Sequence, residues 1–182
     1  MLSEDEIVER IKEFFGVDLL EFNVPRARRV FVRIRSGALR DAVSFLSREL
    51  NIKHLSTITG VDLGEEIELI YHFAYRGSIE ISLRLTVPKS NPKIASIISL
   101  VPGAAIYERE VHDLLGVVFE GNPDLSRLIL PEEWPGGLYP LRKENSPEEM
   151  RRIIRSYVKQ EMERERIYHK LSKLRVRQAL QS

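Results

Sequence analysis

Ile67, Leu69, Tyr71, Phe73 and Tyr75 alternate with polar or small residues, and Ile79, Ile81, Leu83, Leu85 and Val87 repeat the pattern a few positions later. In an extended chain, successive side chains point to opposite faces, so a period of two marks a strand with one apolar face. Two such runs, separated only by Arg76-Gly77-Ser78, predict a β-hairpin whose buried face needs a cover. The rest of the chain must supply that cover.

Helical spacing supplies it. Ser3 and Glu6 have the spacing of a capping box, and Ile7, Ile11, Phe14 and Phe15 form a stripe behind them that Gly16 ends. Leu39, Val43, Leu46 and Leu50 give a second helix over 38–50. Between the two, Val17–Val24 and Arg29–Arg35 read as strands joined across Pro25, and His54–Leu63 is β-prone. Pro88 and Pro92 close the sheet, and Ile94–Leu100 is expected to be a short helix packed on it. The fold class is therefore α+β: an antiparallel or mixed sheet with helices on one face, followed by an extended segment and a long C-terminal helix. Three parts are expected: an α+β domain over 1–103, a motif helix with an extended segment over 104–145, and a charged helix over 146–182. That last helix opens on Ser146-Pro147-Glu148-Glu149, an N-cap, a proline at the first helical position and acids in the first turn. Its apolar residues are sparse, so it is expected to project.

Hydrophobic residues make up 43% of the chain, enough for a core, and the net charge of +1 argues against a protein built mainly to coat nucleic acid. There is no cysteine. Disulfides, thiolate-held iron–sulfur clusters, cysteine nucleophiles and cysteine zinc sites are thereby excluded from this chain. The start is acidic and amphipathic, unlike a secretory leader. The longest weakly polar run, Ile94–Ile106, is broken by Pro102 and falls short of the ~20 residues that cross a bilayer. A soluble protein is expected, and 30% charged residues fit a thermophile.

The chemistry concentrates in Glu108, Arg109, Glu110, His112 and Asp113. On a helical wheel Ala104, Tyr107, Val111, Leu114 and Leu115 form the apolar face, flanked by Glu108 and Glu110, with Arg109, His112 and Asp113 on the remaining arc. Glu108–His112 and Arg109–Asp113 are i,i+4 pairs. A metal site at Glu108 and His112 lacks a third ligand at suitable spacing. An acid–base site lacks a nearby nucleophile, oxyanion loop or phosphate loop. A solvated helix with intrahelical ion pairs needs nothing more. A fourth reading makes the half-buried acids a surface gripped by arginines of another subunit. Trp134 suits either a cap on the core or an anchor in a partner, and His72 is assigned to the polar face of its strand. The C-terminal stretch from Arg164 carries six Lys or Arg and one Glu. A solvated face or protein dock suits it better than RNA or lipid, since aromatics do not interleave.

The stretch "EREVHDLLGVVFEGNPDL…LILPEEWPGGLYPLRKE" resembles the signature of the thirty-kilodalton (C) subunit of respiratory complex I, a family that includes the equivalent subunits of membrane-bound [NiFe] hydrogenases. Glu108-Arg109-Glu110, Asp113, Leu114-Leu115, Gly116, Pro123-Asp124 and Pro140-Leu141-Arg142-Lys143 match in order. The chain departs from the pattern at Asn122 and Ser126, with Arg127 one place late. The resemblance implies a scaffold subunit without a redox centre of its own, with no catalytic, cofactor or metal residues. Glu108, Arg109, Glu110, Asp113, Pro123, Asp124, Trp134, Pro140, Arg142 and Lys143 would face partners. Those partners would be the large catalytic subunit and iron–sulfur subunits, which hold the iron–sulfur clusters and, in the hydrogenase branch, a nickel–iron site. The chain would be part of a hetero-oligomer without nucleic acid, peripheral on the cytoplasmic side of the membrane and touching the membrane arm only indirectly. A ferredoxin-linked, hydrogenase-type, ion-translocating complex is the favoured branch, with NADH:quinone oxidoreductase as the alternative. A nucleic-acid module using the basic C-terminal helix is the rival from another class.

Overall fold

The computed structural model describes residues 3–76 and 78–179, and in the last helix the side chains of 147–160, 162–164, 166 and 167. Helix α1 (Glu4–Phe15) begins on the expected capping box: the Ser3 hydroxyl accepts from Glu6 N, and the Glu6 carboxylate accepts from Ser3 N. Strands β1 (Leu19–Arg26) and β2 (Arg29–Ile34) follow, then α2 (Leu39–Arg48), β3 (His54–Asp62), β4 (Glu66–Tyr75) and β5 (Ile79–Pro88). The chain turns between β1 and β2 at Ala27-Arg28, not at Pro25, which lies within β1. Between β4 and β5 the expected turn falls where drawn, although Gly77 lies outside the described residues.

The five strands form one sheet in the order β1-β2-β5-β4-β3. Neighbours pair antiparallel except β2 and β5, which run parallel from Arg29↔Glu80 to Arg33↔Arg84. A parallel pair requires a long crossover, and α2, β3 and β4 all lie within it. The alternation in β4 and β5 has the predicted result. Ile67, Leu69, Tyr71 and Phe73 pair with Val87, Leu85, Leu83 and Ile81 on the covered face, all essentially buried. They share one core with Ile7, Ile11 and Phe15 of α1 and Leu39, Val43 and Leu46 of α2. Full burial of each large side chain stabilises by roughly 1.5–3 kcal/mol. The opposite face carries polar pairs, Glu68 with Arg84 and His72 with Glu80 and Ser82, so His72 sits as expected.

After β5 the chain departs from the sequence expectation. Ile94–Leu100 is not a helix. Lys93–Ala95 is a short strand, β6, paired parallel with β7 (Val118–Glu120). Pro92 and the β-branched Ile94 favour extension there, and β7 completes the pair from beyond helix α3 (Ala104–Leu115). The segment after Gly116 thus has regular structure that local pattern did not reveal. Beyond it the chain runs without further helix or strand to α4 (Pro147–Ala179), whose first turn is capped by Ser146 Oγ accepting from Glu149 N. Most of the described side chains of α4 are exposed. Among the described residues no helix is long and apolar enough to cross a membrane.

Candidate functional site

Helix α3 lies against β3. The two elements approach so closely at Gly60 that a β-carbon there would overlap the Leu115 side chain. At its C-terminus Gly116 adopts φ +76°, a left-handed cap that favours glycine, and its N–H donates to His112 O. The Tyr139 ring lies over Gly116 where a β-carbon would project, and the Arg142 guanidinium stacks on that ring at 4.5 Å.

Two carboxylates of α3 are fully enclosed. Glu108 is 0% exposed; its Oε2 accepts from Ser96 Oγ at 2.7 Å and Asn122 Nδ2 at 2.9 Å, and its Oε1 from Ile97 N at 2.8 Å. These bonds tie the residues after β6 and the residue after the β7 turn to the helix. Burial raises the Glu108 carboxyl above its ordinary range, and the three donors offset only part of that because none is a cation. Tyr71 is buried on β4, and its hydroxyl is pushed well above its ordinary value by burial and by the Glu108 charge. The Tyr71 hydroxyl has no hydrogen-bond partner among the described residues.

Asp113 is 1% exposed and differently placed. Burial alone would raise its carboxyl, but Leu130 N at 2.8 Å, Arg127 Nη1 at 2.7 Å, Ile129 N at 2.9 Å and Leu128 N at 3.2 Å hold it down at about 2. Three successive N–H groups converging on one oxygen fix the 127–130 backbone in an anion nest. Arg109 ties the same segment from the other side, donating to the carbonyls of Ser126 and Arg127 and lying 3.6 Å from Asp124. Trp134 Nε1 donates to Leu138 O, and Arg142 Nε to Leu115 O. A third knot closes the segment: Asp62 Oδ2 accepts from Lys143 N at 2.9 Å and Lys89 Nζ at 2.6 Å, and Lys89 also pairs with Glu144.

The i,i+4 pairs drawn on the helical wheel do not form. His112 Nδ1 lies 2.8 Å from Val117 O, and Arg109 and Asp113 each turn to the following segment. Asp113 therefore belongs to the buried side of α3, not to the solvent arc. The fixed partners of Glu108 lie in this chain and include no arginine. Glu110 differs from its neighbours: it is half-buried and its side chain has no hydrogen bond or ion pair among the described residues. Pro123, Asp124 and Lys143 are exposed; Trp134, Pro140 and Arg142 are half-buried. Around them Ile106, Ile129 and Leu141 expose 57%, 56% and 54% of their surface. Among the described residues no group of three or more potential ligands could hold a metal ion.

Sequence reasoning passed over Asp62, Lys89 and Ser96, which carry no motif. Asn122 and Arg127 were visible only as departures from a pattern, and the structure makes them the partners of Glu108 and Asp113.

The family model described as "Respiratory-chain NADH dehydrogenase, 30 Kd subunit" matches residues 32–151, which include every residue of this platform. Among curated proteins, the chain is 38% identical over 119 residues to the C subunit of an NADH-quinone oxidoreductase from Roseiflexus sp. (strain RS-1), covering 62% of this chain and 67% of that one. It is 33% identical over 159 residues to the beta subunit of the membrane-bound hydrogenase of Pyrococcus furiosus, covering 82% of this chain and 91% of that one. Among solved structures, a chain of the membrane-bound sulfane sulfur reductase, an archaeal respiratory membrane complex, superposes with a TM-score of 0.68 at 30% identity, over 79% of this chain and 85% of the other.

Proposed function

Because the chain belongs to the respiratory-chain NADH dehydrogenase 30 kDa subunit family, we propose that it is a scaffold subunit of a membrane-bound respiratory oxidoreductase. In this reading it sits in a hetero-oligomer on the cytoplasmic side of the membrane, binds no cofactor itself, and docks the large catalytic subunit beside iron–sulfur subunits. The platform of α3 and residues 120–145 is the docking surface. Within the family we favour a hydrogenase-type complex; similarity to the Pyrococcus hydrogenase protein spans 82% of this chain, and similarity to the chain of the archaeal sulfane sulfur reductase spans 79%.

One observation carries the docking role. Glu108, Arg109 and Asp113 are fully engaged in shaping the platform, whereas Glu110 is half-buried and without a partner among the described residues. A half-buried carboxylate without a partner keeps its oxygens open to a cation or N–H donor from outside. The platform also exposes Ile106, Ile129 and Leu141, apolar side chains of the kind that interface cores use. Replacement of Glu110 by Ala should leave the isolated chain folded, with its melting temperature unchanged, and lower recovery of the large subunit in a tagged pull-down from detergent-solubilised membranes. Undiminished recovery with Glu110→Ala removes the docking role from this surface. Flavin-bearing chains among the co-purifying proteins would move the assignment to the NADH-linked branch.

A further inference from the structure

At one end of the sheet lies an open cleft of about 400 Å³, lined by Arg26, Arg28 and Arg29 of the β1–β2 hairpin and by Ala74, Ser78 and Glu80 from the facing ends of β4 and β5. The three arginines are not equivalent. Arg29 is ion-paired with Glu80. The guanidinium groups of Arg26 and Arg28 have no hydrogen bond or ion pair among the described residues.

The turn that carries them is held from two sides. Arg28 N donates to Glu4 Oε2 at 2.7 Å, and Arg28 O accepts from Glu80 N at 3.0 Å. Arg28 itself has φ +66°, a left-handed conformation that strains a residue with a β-carbon. Such strain persists where surrounding bonds over-determine it, and it clusters at sites that bind. Arg76 stands at the neighbouring connection, its guanidinium 5.6 Å from the Tyr75 ring centroid. Among the residues that line the cleft, Arg26, Arg28 and Arg29 face the single carboxylate of Glu80, which pairs with Arg29, so the charges of Arg26 and Arg28 are uncompensated there.

We propose that this cleft binds a phosphate group. Guanidinium forks match tetrahedral oxyanions with paired N–H donors. A phosphate monoester carries about −1.5 to −2 charges near neutral pH, which balances the two free guanidinium groups, whereas one carboxylate would balance only half of that. None of the lining residues belongs to the α3 platform, so the site is independent of the docking role. The phosphate comes either from a small soluble molecule or from a lipid headgroup.

The test uses the full chain and follows arginine Nε–H resonances during titration with inorganic phosphate at constant ionic strength. A saturable shift confined to the cleft arginines is expected, with affinity at least about tenfold weaker in the Arg26→Ala/Arg28→Asn variant, the loss set by two charge-assisted contacts. Asparagine tolerates the left-handed turn. Should the double variant not fold, Arg26→Ala alone, which leaves the turn intact, must still weaken binding. In a second arm, phosphatidylcholine vesicles with and without phosphatidic acid are sedimented with each protein. Phosphatidic acid binding that the variant loses identifies a lipid headgroup; phosphate binding without it identifies a soluble ligand. Absence of saturation in both arms, or equal binding by wild type and variant, overturns the proposal.

Discussion

Glu108 and Asp113 lie little more than one turn apart on α3, both shut away from water, yet their surroundings push them in opposite directions. Asp113 meets an arginine and three backbone N–H groups, which together outweigh burial. Glu108 meets only neutral donors, and burial prevails. Amide replacements separate the two. Asn at 113 brings an NH2 group against donors that need an acceptor and leaves Arg127 without its counter-charge, so Asp113→Asn should cost about 2–3 kcal/mol in urea unfolding at pH 7. Gln at 108 keeps an acceptor for Ile97 N and removes an uncompensated buried charge, so Glu108→Gln should change stability by less than about 1 kcal/mol. Equal losses from the two would contradict the electrostatic contrast drawn from their partners.

At the scale of elements, α3 is gripped along its whole length. Gly60 of β3 admits it closely, the β6–β7 pair brackets its two ends, and residues 127–143 return along it to Lys89 and Asp62. In contrast, α4 exposes Ile153, Val158, Met162 and Ile167, and its described ion pairs are i,i+3 contacts on exposed surface. Such pairs contribute only about 0.2–0.5 kcal/mol each to the helix that holds them. A chain ending at Asn145 should therefore unfold cooperatively with a melting temperature within about 3 °C of the full chain, measured by circular dichroism at 222 nm. A larger drop would mean that α4 contributes to the body's stability beyond what its exposed side chains indicate.

For the molecule as a whole, the depressed carboxyls set an acid limit. Asp62 and Asp113 both fall from 3.8 to about 2 in the folded state. For Asp62 burial acts upward and is outweighed by Lys89 and by the Lys143 and Gly64 N–H groups. A lowered folded value means the unfolded chain binds these protons more readily, so each contribution, about 2 kcal/mol, is complete above pH 4 and disappears as pH falls toward 2. Glu108, raised by burial, acts in the opposite sense and favours the fold once protonated. The melting temperature should hold between pH 7 and 5 and then fall between about 4 and 2, with a shallower fall in an Asp62→Asn/Asp113→Asn variant. An unchanged acid limb in that variant would place the acid sensitivity elsewhere.

Periodicity and capping were legible from residues alone: Ser3 with Glu6, the hairpin of β4 and β5, the stripes of α1 and α2, and the start of α4 at Ser146. Each of these is fixed by backbone geometry acting over a few neighbouring residues, so the pattern lies in the local sequence. The motif helix was legible too, but not what its charges do. Glu108 with Ser96 and Asn122, Asp113 with Arg127, and Asp62 with Lys143 join positions from 12 to 81 residues apart. The same is true of the parallel β2–β5 and β6–β7 pairs and of the free guanidinium groups beside Glu80. No sequence period records such meetings. They depend on where folded elements bring the chain back, and a buried carboxylate's partner is chosen only there.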